Sequence, residues 1–441
     1  MKNRIFLGLL FYVSIVLLGH FSYGAMDNRM KLHLTHSLAF EGSVNAPKFG
    51  PIKYAPLQSV LMIPTYVLGH LAGKVMGRSE ERCYKIGYRV TSAVFNPVVI
   101  SLMCVLYFTF IGEFGFDVAT RLVSSYLLLF GTLLLPYARL MYSEPVSAFL
   151  ILVSLYFLYR SFHGDTGVNL RKSFVSTGVL CLNNAVFFLF YLLLVLSVLF
   201  YFWFAKRDAG VVRRVIFESL VVLFIVMGIF LFYNYARYGS FLQFGYKRES
   251  FTSPIVIGLY GLLFSIGRGL ILYSPLTLPC VVFFVVSYQN FEFDRSCLLG
   301  VAVLSFAVFL GVYGKWYSWE GGWCWGPRYL LSFVPAVHLV FPFLLTAVKK
   351  SNRLIQAFFI AVCLVSIGIN GYEYVHVWGR YETDVLMHQL IPYEYTLFIP
   401  KFSYLFNNWE WEVGIERILQ FVVVLSSSFC FLWFWFRKRL A

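Results

Sequence analysis

The residues best suited to chemistry lie in one irregular segment, residues 315–331, with the sequence KWYSWEGGWCWGPRYLL. The segment carries several tryptophans between two long apolar runs and is too polar to span lipid. Gly321 and Gly322 allow a tight turn or a close approach to a ligand, tryptophan faces suit stacking on a sugar ring, and Arg328 matches phosphate. The alternative is an aromatic belt at the membrane surface. Because a belt has no need of glycines and an arginine at fixed spacing, we favour a binding site.

The composition indicates a membrane protein. The 441 residues are 59% hydrophobic and 13% charged, with a mean hydropathy of +0.73, and one soluble core cannot bury that much apolar surface. The net charge is +15, but most Lys and Arg flank apolar runs, which indicates topology and lipid headgroups rather than nucleic acid. The eight cysteines form no CxxC and no Cys/His cluster at metal-ligand spacing, so we predict neither a disulfide framework nor a required metal.

The apolar runs predict one all-α module over residues 1–441, with about twelve membrane spans and both termini in the cytoplasm. Lys2 and Arg4 precede an uncharged run, residues 5–24, which we interpret as a first span rather than a signal peptide. Residues 57–73 are short for a span and would invert the positive-inside bias, so we predict a re-entrant or surface helix there. The remaining spans are predicted near 90–111, 122–138, 145–159, a pair within 173–205, 215–234, 270–288, 296–314, 329–348, 354–372 and 418–436.

Three basic residues, Lys53, Arg268 and Arg328, fall on the predicted outer side, in separate loops that contain glycine or proline. The positive-inside rule disfavours Lys and Arg on the outer side, and binding of an anionic ligand is the simplest reason for their presence there. The alternative is that each side chain snorkels to lipid headgroups. The outer loops are predicted at 23–86, 315–330 and 373–415, and the first and last of them are expected to form short surface helices over a cavity.

A series of short motifs runs in order through nearly the whole chain. They are Asp27 just past the first span, KYAPLQS at 53–59, YSEP at 142–145, YN at 233–234 with RYGS at 237–240, FGY at 244–246, GLYGLLFSIGRGLILYSP at 258–275 and GGWCWGPRYL at 321–330. Taken together, this order resembles the bacterial branch of the GT-C glycosyltransferases, which use polyprenyl-phosphate sugars and are relatives of the protein O-mannosyltransferases and lipid A aminoarabinose transferases.

The resemblance implies a set of site residues. A carboxylate in the first outer loop is implied as the general base, and Asp27 is the candidate, with Glu41 as a second choice. Alternatively, Asp27 caps a helix over residues 28–40. The donor phosphate would be bound by Lys53, Arg268 and Arg328, and the substrates by Tyr54, Glu144, Tyr246, Trp323 and Trp325.

We therefore expect an inverting glycosyltransferase of the bacterial inner membrane, with its site facing the periplasm. It would move a sugar from a polyprenyl-phosphate donor to a glycan, lipid or protein acceptor, without a cofactor. The alternatives are a lipid-linked sugar flippase or other transporter and a polysaccharide polymerase or ligase. A transporter would place ionisable groups at mid-membrane, whereas here they gather in loops on one predicted face. The ordered motifs argue against a polymerase.

Overall fold

The computed structural model describes residues 2–18, 26–46, 49–246, 249–375, 393–407 and 415–437. Within these ranges the chain is helical and forms no β-strand, as the sequence predicted. The described α-helices are α1 (Lys2–Leu18), α2 (Met26–His36), α3 (Leu57–Val75), α4 (Glu80–Glu113), α5 (Val118–Phe130), α6 (Leu134–Ala138), α7 (Glu144–His163), α8 (Thr166–Cys181), α9 (Phe188–Phe200), α10 (Ala209–Tyr238), α11 (Ile255–Phe264), α12 (Leu270–Tyr273), α13 (Thr277–Ser287), α14 (Phe293–Lys315), α15 (Arg328–Leu331), α16 (Val334–Val337), α17 (Phe341–Lys350), α18 (Arg353–Val375), α19 (Tyr395–Phe398), α20 (Tyr404–Asn407) and α21 (Ile415–Arg437).

Six described helices are long and apolar enough to cross a membrane, namely Glu80–Glu113, Glu144–His163, Ala185–Ala205, Ala209–Tyr238, Phe293–Lys315 and Arg353–Glu373. Shorter apolar helices accompany them at Arg4–Leu17, Val118–Phe130, Ile255–Phe264, Thr277–Asn290 and Val422–Trp433. This pattern confirms a polytopic helical membrane fold. The count of twelve spans stays a prediction, and most of the predicted outer loop 373–415 lies outside the described residues.

The apolar helix α3 pairs with the first half of α4 and does not run the length of the bundle. Near the start of α3, Gln58 Nε2 lies 3.0 Å from the carbonyl oxygen of Tyr142, and Asn96 Nδ2 of α4 lies 3.3 Å from the same oxygen. Beyond Asn96, α4 continues to Glu113, which lies 3.5 Å from Arg160 at the opposite end of the bundle. The C-terminal end of α3 packs beside the start of α4, where a Cβ on Gly73 would lie 2.9 Å from the Cα of Cys83, so α3 lies alongside the half of α4 that is farther from Glu113.

The opposite end of the bundle is marked by a polar cluster around Asp294, at the start of α14. The Tyr201 hydroxyl donates to this carboxylate over 2.7 Å, and Lys206 and His163 lie 3.6 and 3.8 Å from it. These partners come from the C-terminal ends of α7 and of the helical run through α9. The other ends of the same helices, near Glu144, Asn184 and Lys315, therefore meet on the Tyr142 side, where the sequence placed the outer loops.

Candidate active site

A cavity of about 340 Å³ opens on the Tyr142 side of the bundle. Segments that are distant in sequence converge on it because the antiparallel helices bring alternate loops to the same end. Among the described residues, its charged lining consists of three carboxylates and three basic groups, namely Asp27, Glu144, Glu249, Lys31, Lys53 and Arg328. The uncharged polar wall consists of five tyrosines, one tryptophan, one serine and one asparagine, namely Tyr54, Tyr142, Tyr246, Tyr313, Tyr329, Trp316, Ser143 and Asn184.

Arg328 lies at the centre of this charged group. It is the first residue of α15, directly after the turn at Gly326 and Pro327, and its side chain is 11% exposed. Its Nη1 lies 3.2 Å from Asp27 Oδ2, and its Nε lies 3.6 Å from Glu144 Oε1. The guanidinium also lies over the rings of Tyr142 and Tyr329, at 4.7 and 5.0 Å. The arginine is thus held by charge and by ring stacking between two carboxylates.

The candidate base, Asp27, lies in the first turn of α2, where the helix dipole favours a carboxylate. Burial alone would raise the pKa of Asp27, but Arg328, a hydrogen bond from Tyr54 and the charge of Lys31 together hold the pKa below its ordinary value. Burial and the neighbouring carboxylate raise the pKa of Tyr54, so the phenol stays protonated and donates. Asp27 is therefore an ionised, 28% exposed carboxylate at the cavity wall.

Lys53 forms an ion pair with Glu249 and lies near the rings of Tyr54 and Tyr246, at 5.8 and 5.6 Å. Its segment is anchored by Arg237, whose Nη1 donates to the carbonyl oxygen of Tyr54 over 3.0 Å. Arg237 of the RYGS motif therefore helps to position the KYAPLQS motif. Tyr54, Glu144 and Tyr246, all predicted substrate contacts, line the cavity.

Lys31, which the sequence analysis did not select, also lines the cavity. It is 4% exposed and follows Asp27 by one helical turn, so both side chains lie on the same face of α2. Burial lowers the pKa of Lys31 to about 8, although Glu144 and Asp27 act in the opposite direction. The spacing of four residues after a candidate base was the signal that could have identified it.

We expect Lys31→Met to raise the melting temperature of the purified protein at pH 7. The pKa of Lys31 is about 8 in the folded state and near 10.5 in the unfolded state. Between these values the unfolded state binds more protons, so the free energy of unfolding of the wild type rises with pH, by up to about 3 kcal/mol. Methionine does not titrate, and the difference in melting temperature should therefore shrink from pH 8 to pH 10. If the difference in melting temperature between Lys31→Met and the wild type does not change with pH, the lowered pKa of Lys31 is contradicted.

The tryptophan segment turns through glycines that adopt a left-handed backbone, with φ values of 78° at Gly321, 69° at Gly322 and 58° at Gly326. A Cβ on Gly326 would lie 2.8 Å from the side chains of Leu133 and Tyr273, so this position requires glycine. The predicted tight turn is present, and it brings Arg328 to the cavity.

Trp323 and Trp325, predicted to contact substrate, do not line the cavity. Trp325 is 2% exposed and packs edge-on against Tyr273, at 4.8 Å between ring centroids. The carbonyl oxygen of Trp323 accepts a 2.7 Å hydrogen bond from the Tyr142 hydroxyl. The Trp323 ring is partly buried and lies 4.4 Å from the Tyr393 ring, whereas Trp316 lines the cavity.

Arg268 also lies outside the cavity lining and is 2% exposed. Its guanidinium donates to the carbonyl oxygens of Glu320 and Gly322, at 3.2 and 2.9 Å, and to the Tyr393 hydroxyl at 3.3 Å. Sequence alone placed it beside Arg328 as a phosphate ligand. In the structure its guanidinium binds the backbone of the tryptophan segment and the carbonyl oxygen of Gly267, outside the cavity lining.

We expect Arg268→Lys to lower the melting temperature and to change the tryptophan fluorescence, because lysine cannot reproduce the fork that binds two carbonyl groups. The affinity for undecaprenyl phosphate should fall less than in Lys53→Ala, which removes a cavity cation. Equal losses of affinity in the two variants, with an unchanged melting temperature in Arg268→Lys, would instead support direct phosphate contact by Arg268.

Among the described residues, no group of three or more His, Cys, Asp or Glu side chains could hold a metal ion. Metal independence stays a prediction.

The helical membrane bundle with a charged cavity at one end is a fold that this chain shares with solved membrane proteins, and the prediction of an all-α polytopic fold is confirmed. Two solved structures of ArnT from Cupriavidus metallidurans are similar to this chain. The structure with undecaprenyl phosphate bound has a TM-score of 0.55 at 12% identity, over 98% of this chain and 75% of that one. The apo structure has a TM-score of 0.55 at 14% identity, over 98% of this chain and 74% of that one. No protein-family model and no curated protein sequence matches the chain.

Proposed function

We propose that this protein is a membrane glycosyltransferase that moves a sugar from a polyprenyl-phosphate donor to an acceptor at the cavity. The observation that carries the proposal is the buried contact of Arg328 with Asp27 and Glu144, beside Lys53, in a fold shared with ArnT. One cavity thus holds an ionised carboxylate that can accept a proton and cations that suit a phosphate. One of the two similar ArnT structures is bound to undecaprenyl phosphate, which supports a lipid phosphate as the ligand here.

Asp27 is the proposed general base. The acceptor hydroxyl loses its proton to the Asp27 carboxylate as its oxygen forms a bond to the anomeric carbon of the sugar. The bond from that carbon to the phosphate oxygen breaks, and the electron pair leaves with the lipid phosphate. Attack from the face opposite the leaving group inverts the anomeric centre. Tyr54 orients the carboxylate through its hydrogen bond.

Lys53 and Arg328 are the proposed phosphate ligands. Departure of the lipid phosphate adds a negative charge, and preorganised cations stabilise that charge more than they stabilise the donor. Glu249 pairs with Lys53 and Asp27 with Arg328, so each cation is held in place by a carboxylate before the phosphate arrives. Because Arg328 contacts both the base and the proposed phosphate site, a shift of the guanidinium toward the leaving group would make Asp27 more basic. Arg268 is proposed as a positioning residue for the tryptophan segment.

The cavity is proposed to face the exterior of a bacterial inner membrane, with a glycan, lipid or protein as acceptor. The basic ends of the predicted spans, such as Lys206 at the Asp294 cluster, lie at the opposite end of the bundle, as the positive-inside rule requires. A reporter fused after Gly322 should therefore be extracytoplasmic, and one fused after Ala209 should be cytoplasmic. The reverse pattern would place the cavity inside the cell.

A deletion strain of the source organism tests the function. Loss of the transferase should cause a lipid-linked sugar to accumulate while one envelope glycan loses that sugar, both measured by mass spectrometry. The wild-type gene should restore both signals, and a gene for Asp27→Asn should restore neither at an equal protein level. Accumulation that Asp27→Asn corrects as well as the wild type would favour a transporter, which needs no base.

A further inference from the structure

A second, smaller cavity of about 30 Å³ adjoins the main one and shares several of its lining residues, among them Lys31, Lys53 and Tyr54. It extends away from Arg328 toward Gln58 and Asn183. A space of this size holds a single small group and not a sugar ring. Whatever enters it is therefore one substituent of a ligand whose main part occupies the larger cavity.

Two residues that line this small cavity, Gln58 and Asn183, each carry an amide oxygen that has no hydrogen-bond partner among the described residues. Gln58 is 1% exposed, and its Nε2 donates to the Met141 and Tyr142 carbonyl oxygens, at 2.9 and 3.0 Å. Its Oε1 is left buried without a donor. Asn183 is 5% exposed, and its Nδ2 donates to the Ser143 carbonyl oxygen over 3.0 Å. Its Oδ1 is also unpartnered. The bonds made by the two amide nitrogens fix these oxygens as acceptors.

Lys31 supplies a hydrogen-bond donor beside these acceptors. Its ammonium can only donate hydrogen bonds, and it forms no ion pair within 4.0 Å in the described part of the chain. Its closest aromatic contact is the Tyr54 ring, 5.1 Å from Nζ. Buried amide oxygens without donors are costly, and the Lys31 side chain lines the same cavity with hydrogens to donate. One ligand group that both donates and accepts would satisfy both.

We propose that the small cavity is a subsite for one hydroxyl group of the donor sugar. The hydroxyl donates its hydrogen to a Gln58 or Asn183 oxygen and accepts a hydrogen bond from Lys31. An amino substituent would be protonated and repelled by Lys31, and a carboxylate would face the two amide oxygens without a hydrogen to donate. The substrate class is therefore a lipid-linked sugar that is neutral at this position. This inference rests on the proposed function, because it assumes that the sugar occupies the main cavity.

The test uses purified full-length protein and native mass spectrometry with defined probes. These are undecaprenyl phosphate, its glucose, mannose and galactose derivatives, and its aminoarabinose derivative. In the wild type, at least one hexose derivative should bind more tightly than undecaprenyl phosphate, and the aminoarabinose derivative should not. Lys31→Met should reduce the gain in affinity from the hexose by about tenfold or more, the value of a hydrogen bond to a charged group. The affinity for undecaprenyl phosphate itself should stay within about twofold.

Arg29→Met is the matched control, because Arg29 is an exposed residue of the same helix that does not line either cavity. It should leave all affinities unchanged. If Lys31→Met fails to fold, Lys31→Gln is measured in its place with the same expectation. Equal losses for undecaprenyl phosphate and the hexose derivative would make Lys31 a phosphate contact and overturn the subsite alone. If undecaprenyl phosphate and its derivatives do not bind the wild type, the proposed function fails and the subsite with it.

Discussion

Replacing Asp27 with asparagine is expected to lower the rate of sugar transfer by about 10²- to 10⁴-fold, the usual contribution of a general base. Asparagine keeps the size of the side chain but cannot accept a proton at neutral pH. Arg328 would retain its contact with Glu144, so the protein should stay folded and should still bind undecaprenyl phosphate. Transfer from a radiolabelled lipid-linked sugar and the melting temperature are the two measurements.

Glu41→Gln is the control for this variant, because Glu41 is the second candidate base in the first outer loop. Its carboxylate accepts a 2.7 Å hydrogen bond from Ser37 and does not line the cavity. Its transfer rate should equal that of the wild type. If Asp27→Asn retains near-normal transfer and Glu41→Gln does not, the roles of the two carboxylates must be exchanged.

Replacing Arg328 with alanine should lower transfer by about 10²-fold or more and should also destabilise the protein. The change leaves the largely buried Glu144 and the partly exposed Asp27 without their shared cation, and the loss of one partner of a buried group of this kind costs about 3 kcal/mol of unfolding free energy. Arg328→Lys should recover part of the stability but less of the transfer, since lysine cannot bind a phosphate with two parallel hydrogen bonds.

The pH profile gives an independent measurement on the same arginine. Arg328 lowers the pKa of Asp27, so its removal should raise that pKa. The base acts only when ionised, and transfer is lost as the pH falls through its pKa. The loss should therefore begin at a higher pH in Arg328→Ala than in the wild type. Arg295→Ala is the control. It removes an arginine near the start of α14, at the end of the bundle away from the cavity, and should leave the pH profile unchanged. If transfer is lost at the same low pH in Arg328→Ala and in the wild type, Arg328 does not control the pKa of the base.

The general architecture and the convergence of loops could be predicted from the sequence, because apolar length and the placement of basic residues follow from the chemistry of the bilayer. Because successive spans place alternate loops on the same side, counting the spans predicted Asp27, Lys53, Glu144 and Arg328 at one end of the bundle. The pair of spans predicted within 173–205 and the re-entrant or surface helix predicted at 57–73 follow from the same reasoning, since an extra crossing would have inverted the basic clusters.

The sequence could not predict which way a side chain in a loop points. Arg268 and Arg328 look equivalent in sequence, each beside a glycine or a proline, yet the donors of Arg268 bind backbone carbonyl groups whose positions depend on the tertiary fold. Trp325 is a buried packing residue for the same reason. Lys31 was missed because a lysine on a short polar helix is usually solvated. Its burial depends on how α2 packs against α3, where the Ser59 hydroxyl donates to the Lys31 carbonyl oxygen over 3.0 Å.

A cryo-electron microscopy structure of the purified protein with undecaprenyl phosphate tests the central claim most directly. The proposal predicts phosphate density in the cavity of about 340 Å³, within hydrogen-bond distance of Lys53 and Arg328, with Asp27 left free to face an acceptor. Phosphate density held by Arg268, or lipid bound only at the Asp294 end of the bundle, would contradict it.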